Sequence, residues 1–301
     1  MGVMLAVIVT YNPDVTKLLR NIDVLRRNEP NAEILVIDNN SQVTPQLAEV
    51  VDSFIGFDKN YGLGKAYNYA IQLAKESGHE SVLLLDQDSE LLDNFKPSKV
   101  VKEAQQLVNP FLLSVNVRYA HLVRKVNGTN FHVAKFIVNS GTLLNVDYGM
   151  REPYSENLFL DAIDYDYCYR AQKHGSIYVY SEVMMSHGVG EGFRDPRNLC
   201  GRIYVEISRL LHARQGKSSP GLLHYSNPLR YYLITRNSLY LALRRKWFAL
   251  HLKHFVMGSL LMCDSLGYGK GFKFWSRAIK KASIGNLFED NMELFNGGRA
   301  H

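Results

Sequence analysis

Cysteine is scarce in this chain of 301 residues: Cys168, Cys200 and Cys263 are odd in number and widely spaced. No CxxC pair and no Cys/His cluster of zinc spacing occurs, which excludes a disulfide framework and a structural zinc site and suits a reducing compartment. Long apolar runs are missing as well. The longest, about Phe255 to Cys263, is too short to span a bilayer. The stretch Met1 to Asn12 has no basic segment ahead of its apolar run, so no signal peptide is expected. Ala6 stands where myristoylation at Gly2 needs Ser or Thr. Repeats and low-complexity tracts are absent. A cytoplasmic protein without a membrane span is the expectation.

What the chain does have is enough apolar residue, 46%, to bury a substantial core, so a mainly disordered state is excluded. Its net charge of +6 is unevenly spread. From Arg202 to Lys281 there are fifteen Lys and Arg against only Glu206 and Asp264, whereas the rest of the chain sums to −7. Trp247, Phe248, Phe255, Phe272, Phe274 and Trp275 are interspersed in the basic part, a composition suited to an anionic membrane surface or to nucleic acid.

Before that basic part, apolar strand-like runs alternate with helical patterns. Leu5–Val9, Ala32–Ile37, Phe54–Phe57 and Val82–Asp88 read as strands. Helices are expected from Val15 to Asn28, from Pro45 to Val51 and from about Asn60 to Lys75. Such alternation argues for an α/β fold with a mostly parallel sheet, its polar loops gathered along one edge, where Asp38 and Asp86 can meet. Further on, a helix is expected from Pro97 to Val108, and strands from Phe111 to Val117, Phe136 to Leu144 and Ile177 to Val183. An acidic helix is expected around Asp164. From Leu199 helices take over, at about 199–214, 227–245 and 247–266, with breaks at 216–221 and 267–271. Residues 1–195 and a basic helical region of 196–301 are therefore expected as separate domains.

Asp86-Gln87-Asp88 ends four consecutive apolar residues abruptly. Two carboxylates one residue apart at a strand end either hold a hard cation, Mg²⁺ or Mn²⁺, or use local hydrogen bonds to make a turn. Gly141, flanked by Ser140 and Thr142 in an apolar stretch, marks either a close approach of a ligand or another backbone, or a bulge. Asp161 and Asp164, three apart, share a face if their turn is helical, although helix capping also explains acidic residues there. His187 stands at another strand end, as a structural residue or a ligand.

The order Val9-Thr10-Tyr11-Asn12, Ile37-Asp38-Asn39-Asn40-Ser41, Asn60-Tyr61-Gly62 with Asn68, Asp86-Gln87-Asp88, the acidic helix around Asp164, and His187 resembles the motif series of inverting family 2 glycosyltransferases with the GT-A fold. Within that family it is similar to bacterial rhamnosyltransferases of cell-surface polysaccharide synthesis, including the segment Tyr231 to Asn237. The resemblance covers about residues 3–245. It implies that Thr10, Tyr11, Asn12, Asp38, Asn60, Lys65, Asp86 and Gln87 bind a nucleotide-sugar donor, with Lys65 facing its pyrophosphate or merely solvated. It implies a Mg²⁺ or Mn²⁺ ion on Asp86, Asp88 and His187. The base that activates the acceptor hydroxyl would be Asp164, with Asp161 the competing assignment and Asp166 a supporting cap.

The resemblance further implies L-rhamnose from dTDP-L-rhamnose as the donor, with UDP-galactofuranose or UDP-hexoses as alternatives. The acceptor would be a lipid-linked saccharide of O-antigen- or capsule-type assembly. Ser140, Gly141, Thr142, Arg230 and Arg236 would be near it, and the basic region would attach peripherally to the inner face of the cell membrane or form a homo-oligomer. Two other classes are weighed beside this one. A nucleotidyl- or other sugar-nucleotide transferase normally wants a glycine-rich phosphate loop after the first strand, and Thr10-Tyr11-Asn12-Pro13 is not one. A basic nucleic-acid-binding protein leaves the strand-end carboxylates unexplained, so no nucleic acid is expected.

Overall fold

The computed structural model describes residues 4–42, 45–186, 192–213, 221–244 and 246–296. Two compact units result: Met1–Phe159 with Ile163–His187 and Asn291–His301, and Leu160–Ala162 with Gly188–Asp290. The sequence expectation put the division at 195/196.

The first unit opens with β1 (Met4–Thr10), α1 (Val15–Asn28), β2 (Glu33–Asp38), α2 (Pro45–Ala48), β3 (Ser53–Gly56), α3 (Gly62–Glu76) and β4 (Ser81–Asp86). Then come β5 (Glu90–Leu91), α4 (Pro97–Glu103), β6 (Pro110–Ser114), β7 (His121–Lys125), β8 (Phe131–Phe136), β9 (Thr142–Asn145), α5 (Val146–Arg151), α6 (Ile163–Ala171), β10 (Ser176–Tyr180) and β11 (Met185–Ser186). Nine strands form one mixed sheet in the order β3-β2-β1-β4-β9-β6-β10-β8-β7. The block β3-β2-β1-β4 is parallel, and β9 enters antiparallel to both β4 and β6.

The parallel block explains why the alternating pattern was readable. Every residue of β1 is buried, as a strand covered on both faces requires. Helix α1 supplies part of that cover through Leu18, Ile22 and Leu25; Asp14 caps it by accepting from the Lys17 N–H, and Arg26 and Arg27 sit in its last turn, where cations suit the helix dipole.

One expected strand takes a different form, and one strand of the sheet was not expected. The stretch Phe136–Leu144 holds the end of β8 and the start of β9, because Gly141 adopts φ +86° and turns the chain between them. Strand β7 is exposed along its whole length and carries no apolar alternation to announce it.

The second unit contains β12 (Phe193–Arg194), α7 (Leu199–Ala213), β13 (Leu222–Leu223), α8 (Leu229–Leu243) and α9 (Phe248–Ile284), and α10 (Phe288–Asn296) begins in it and ends in the first. Gly267 alone is non-helical inside α9, at φ 75° and ψ 168°. The expected break at 267–271 is therefore a single-residue kink, and helix resumes to Ile284. A Cβ on Gly271 would lie 3.0 Å from Cys263 Cα, so the chain folds back on itself at the kink. Among the described residues no helix is long and apolar enough to cross a membrane.

A buried ionic knot stabilises this unit. Arg236 and Asp290 side chains are both fully buried and 2.5 Å apart. The Tyr232 hydroxyl donates to the same oxygen at 2.6 Å, and Arg277 pairs with the other at 2.7 Å. Removing one partner strands the other in a low dielectric. Arg236→Ala and Asp290→Ala should each cost about 3–5 kcal/mol in denaturant unfolding, with the double variant costing less than their sum; strictly additive losses would refute the pairing.

Burial pushes the Asp290 carboxyl up, but the bonds from Tyr232 and Arg236 outweigh it and hold it below the ordinary range. The folded value thus lies under the unfolded value of about 3.9. Its stabilisation is complete above that pH and is lost as pH falls through the lowered folded value. The stability gap between the parent chain and Asp290→Asn should accordingly close on acidification below about pH 4.

Candidate functional site

Parallel strands present their C-terminal ends along one edge, and Thr10, Asp38 and Asp86 all arrive there: Thr10 pairs with Asp38 in register, and Val9 with Asp86. Asp38 and Asp86 do not meet. They flank β1, two inter-strand spacings or about 10 Å apart. A cavity of about 1040 Å³ opens instead at the opposite edge, where β1, β2 and β4 begin at Met4, Glu33 and Ser81, and holds none of the candidate carboxylates.

Asp38 is almost enclosed, at 3% exposure. Its carboxylate accepts from the Thr10 hydroxyl at 2.6 Å, the Ser41 N–H at 2.6 Å and the Ser41 hydroxyl at 2.5 Å. Three of roughly four lone-pair positions are thereby taken. Asn12 sits at φ 47°, a left-handed conformation that asparagine tolerates, while its N–H donates to Ser41 Oγ at 2.7 Å. Tyr11 is 45% exposed. Gln87 ties this loop to the acidic turn: its Oε1 accepts from the Tyr11 N–H at 2.7 Å and its Nε2 donates to the Tyr11 carbonyl at 3.2 Å.

Asp86 is half-buried and Asp88 exposed. Behind them stands Ser140, 0% exposed, whose hydroxyl accepts from the Asp86 N–H at 3.1 Å and lies 2.5 Å from Ser89 Oγ. Asn21 of α1 clamps the same turn, donating to the Ser89 carbonyl and accepting from the Leu91 N–H. Gly141 is closely approached: a Cβ there would lie 2.6 Å from Met185 Sδ. Thr142 is 1% exposed and donates to the Val138 carbonyl. Of the five residues expected near an acceptor, these three are thus packed behind the strand end.

The three principal carboxylates converge on a residue the sequence did not single out. Tyr67, on α3 and 0% exposed, donates to Asp86 Oδ1 at 3.3 Å. Burial first, then the charge and hydrogen bond of Asp86, then the charges of Asp164 and Asp88, push its phenol well above the usual tyrosine range. Tyr67 therefore stays a neutral donor, bonded to one of these carboxylates and within the field of the other two. Its ring packs on Tyr154, which stacks on Tyr167 at 3.9 Å between centroids. Asp164 lies half-buried in the first turn of α6, and its Oδ1 accepts from the Tyr165 N–H. Asp166 is 1% exposed and bound to Arg170 Nε at 2.9 Å.

Two carboxylates one residue apart offer hard oxygen donors. Among the described residues no group of three or more His, Cys, Asp or Glu is placed to hold a metal. The donor set fits Mg²⁺ or Mn²⁺ taking further oxygens from a diphosphate and water, and does not fit an all-protein cage. His187 lies outside the described residues.

Asn60 is 5% exposed and its Oδ1 accepts from the Gly62 N–H, fixing the entry of α3. Lys65 is half-exposed with its Nζ 3.8 Å from Glu156. In the second unit Asp161 is paired with Arg230 at 3.4 Å, and its other oxygen, Oδ2, is buried without a hydrogen-bond partner. Burial raises its carboxyl above the usual range, with Arg230 pulling the other way. Arg236 presents no surface to solvent, being spent on Asp290, Asn237 and the face of Tyr232.

A pair of glycines brings the segment ahead of α6 onto α3. Gly62 sits at φ +80°, and a Cβ there would lie 2.5 Å from the Phe159 carbonyl oxygen; one on Gly64 would lie 2.6 Å from that of Ser155. Gly62→Ala should lower stability by about 1–3 kcal/mol and loosen amide-exchange protection in residues 155–159. Unchanged stability and exchange would show that this approach is not required.

Residues 5–149 match the family model described as Glycosyl transferase family 2. The chain is 27% identical over 209 residues to the dTDP-rhamnosyl transferase RfbF of Shigella flexneri, covering 62% of this chain and 69% of that one. Its backbone is similar to that of the mannosyltransferase PcManGT from Pyrobaculum calidifontis, solved with GDP-Man and Mn²⁺, at TM-score 0.50 and 13% identity over 96% of this chain and 88% of that one. It also aligns with S. aureus TarS at TM-score 0.49 and 15% identity, over 93% of this chain and 55% of that longer one.

Proposed function

From the premise that residues 5–149 form a family 2 glycosyl transferase domain, on a chain with the GT-A fold, we propose that the protein transfers L-rhamnose from dTDP-L-rhamnose, with inversion, to a lipid-linked saccharide in the assembly of an O-antigen- or capsule-type polysaccharide. The single observation that carries the reading is the convergence of Asp86, Asp88 and Asp164 around the Tyr67 phenol, at an edge also formed by Thr10 and Asp38. The choice of rhamnose rests on the 27% identity to a dTDP-rhamnosyl transferase. UDP-galactofuranose and UDP-hexoses are the alternative donors.

The remaining lone-pair position of Asp38 suits a pyrimidine imide N–H, and the exposed Tyr11 ring offers a face for the base. Lys65, half-exposed at the entry of α3, neutralises part of the pyrophosphate. Asp86 and Asp88 would hold a Mg²⁺ or Mn²⁺ ion, which when bound supplies a Lewis acid that offsets negative charge on the departing diphosphate. Ser140 and Tyr67 fix the Asp86 main chain and carboxylate from behind. Asp164 takes the proton from the acceptor hydroxyl as that oxygen attacks the anomeric carbon from the face opposite the leaving group.

A second assignment for the base is Asp161, favoured by its buried, unpartnered Oδ2 and raised carboxyl pKa. Of the two arginines considered for the acceptor, Arg230 is half-exposed and stacked over Tyr225, and is the one assigned to an acceptor phosphate. The basic helical region attaches the protein to the inner face of the cell membrane, at about 1 kcal/mol per suitably placed cation.

Asp164→Asn should abolish transfer, by about 10²-fold or more, while leaving the Kd for the donor unchanged. The same result in Asp161→Asn with an active Asp164→Asn would move the base to Asp161. Asp88→Ala should lose the metal dependence of donor binding in calorimetric titration with Mn²⁺ and dTDP; an undiminished Mn²⁺ effect would remove Asp88 as a ligand. Hydrolysis of a panel of nucleotide sugars is expected to be fastest with dTDP-L-rhamnose, and a faster UDP-sugar would reassign the donor.

A further inference from the structure

The fold-back of α9 at Gly267 leaves large apolar side chains in water. Tyr268 and Phe272, one helical turn apart, are 59% and 67% exposed, and Phe272 is stacked on Trp275. Lys270 and Lys273 alternate with them and are exposed too. Nothing lies within 4 Å of a Cβ placed on Gly267 or Gly269, so this end of the hairpin is open.

The start of α7 is fastened to the same end. Asp264, 2% exposed, accepts from the Arg197 and Asn198 N–H groups at 2.8 and 3.0 Å, and Asn198 Nδ2 donates to the Cys263 carbonyl. This brings Leu199 and Ile203, 62% and 41% exposed on one face of α7, to that end, with Arg197 and Arg202 beside them. Of the carboxylates here, Asp264 is buried and paired with Arg194, Asp195 is exposed, and Glu206, exposed one turn beyond Ile203, is paired with Arg209.

We infer that this end of the helical unit, built on Tyr268, Phe272 and Leu199 with Lys270 and Lys273, is a docking surface for an anionic phospholipid bilayer. The inference deepens the membrane attachment proposed above and rests on it. Aromatic rings with lysines between them at a helix turn match the headgroup layer, where amphipathic rings and cations are both favoured. A second copy of this chain suits the surface poorly, because two-fold pairing would set the same cations against each other. Nucleic acid would use the cations but has no use for Leu199 and Ile203.

The test is flotation of the full chain with unilamellar vesicles of phosphatidylcholine alone or enriched in phosphatidylglycerol. Binding is expected to the anionic vesicles only. Tyr268→Ser with Phe272→Ser should weaken it by about ten-fold or more, and Lys270→Gln or Lys273→Gln by about five-fold each. The chain's two tryptophans report the contact site: with Trp247→Phe, leaving Trp275, fluorescence should be quenched by brominated phosphatidylglycerol, and with Trp275→Phe it should not. Donor hydrolysis without vesicles should be unchanged in the Tyr268/Phe272 variant, which also shows that it folds. Equal vesicle binding by parent and variants would overturn the inference. So would quenching of Trp247 alone, a dimer that the Tyr268/Phe272 variant dissolves, or duplex-DNA binding that the same variant abolishes. A parent chain that hydrolyses no nucleotide sugar but binds vesicles as described would instead sink the glycosyltransferase reading and leave the docking surface standing.

Discussion

Three like charges held around one buried phenol are the constraint on which the site depends. Asp86, Asp88 and Asp164 carry like charges, and the Tyr67 hydroxyl, which donates to Asp86 and feels the charge of all three, is a neutral donor that offsets little of their repulsion. Such an arrangement is stable because the scaffold behind it is over-determined: Ser140, Ser89 and Asn21 hold the turn after β4, and Gln87 ties it to the loop after β1. Under the function proposed above, a divalent cation bound with the diphosphate would offset that repulsion.

The same scaffold explains the division of labour among the acidic residues. Asp38 and Asp86 end adjacent partners of β1 and so line one edge, yet three of the lone-pair positions of Asp38 are taken by Thr10 and Ser41 while Asp86 accepts from Tyr67. Asp166 is buried against Arg170, whose guanidinium burial lowers to about 10, so it is a structural partner within α6 and Asp164 is the carboxylate left toward the cluster. The two glycines of α3 let residues 155–159 close onto the helix that carries Tyr67, whose phenol feels the charge of Asp164 a few residues further on.

Much of this was legible in the chain itself. Continuous apolar runs ending in Thr10, Asp38 and Asp86 announce buried parallel strands and the edge they share, and the α1 periodicity marks its boundaries from Val15 to Asn28. Strand β7 was not legible because it is exposed on both faces, and β8 and β9 merged because a glycine turn sits inside one apolar stretch. The continuation of α9 past Gly267 was hidden by three glycines, of which only the first leaves the helix; Gly271 is needed where the hairpin packs on Cys263.

At the site, strand-end carboxylates carry their chemistry in the sequence, whereas Tyr67, Asn21 and Ser89 matter through contacts 19 to 68 residues apart that no local pattern encodes. Asn21 did leave a trace, a buried amide on the apolar face of α1. The most direct measurement of the account as a whole is the anomeric configuration of the transferred sugar, read by proton NMR during turnover with Mn²⁺. A single base opposite a metal-held diphosphate gives a product inverted relative to the donor, and only with the metal present; a retained configuration, or inversion at full rate with the cation chelated, would contradict it.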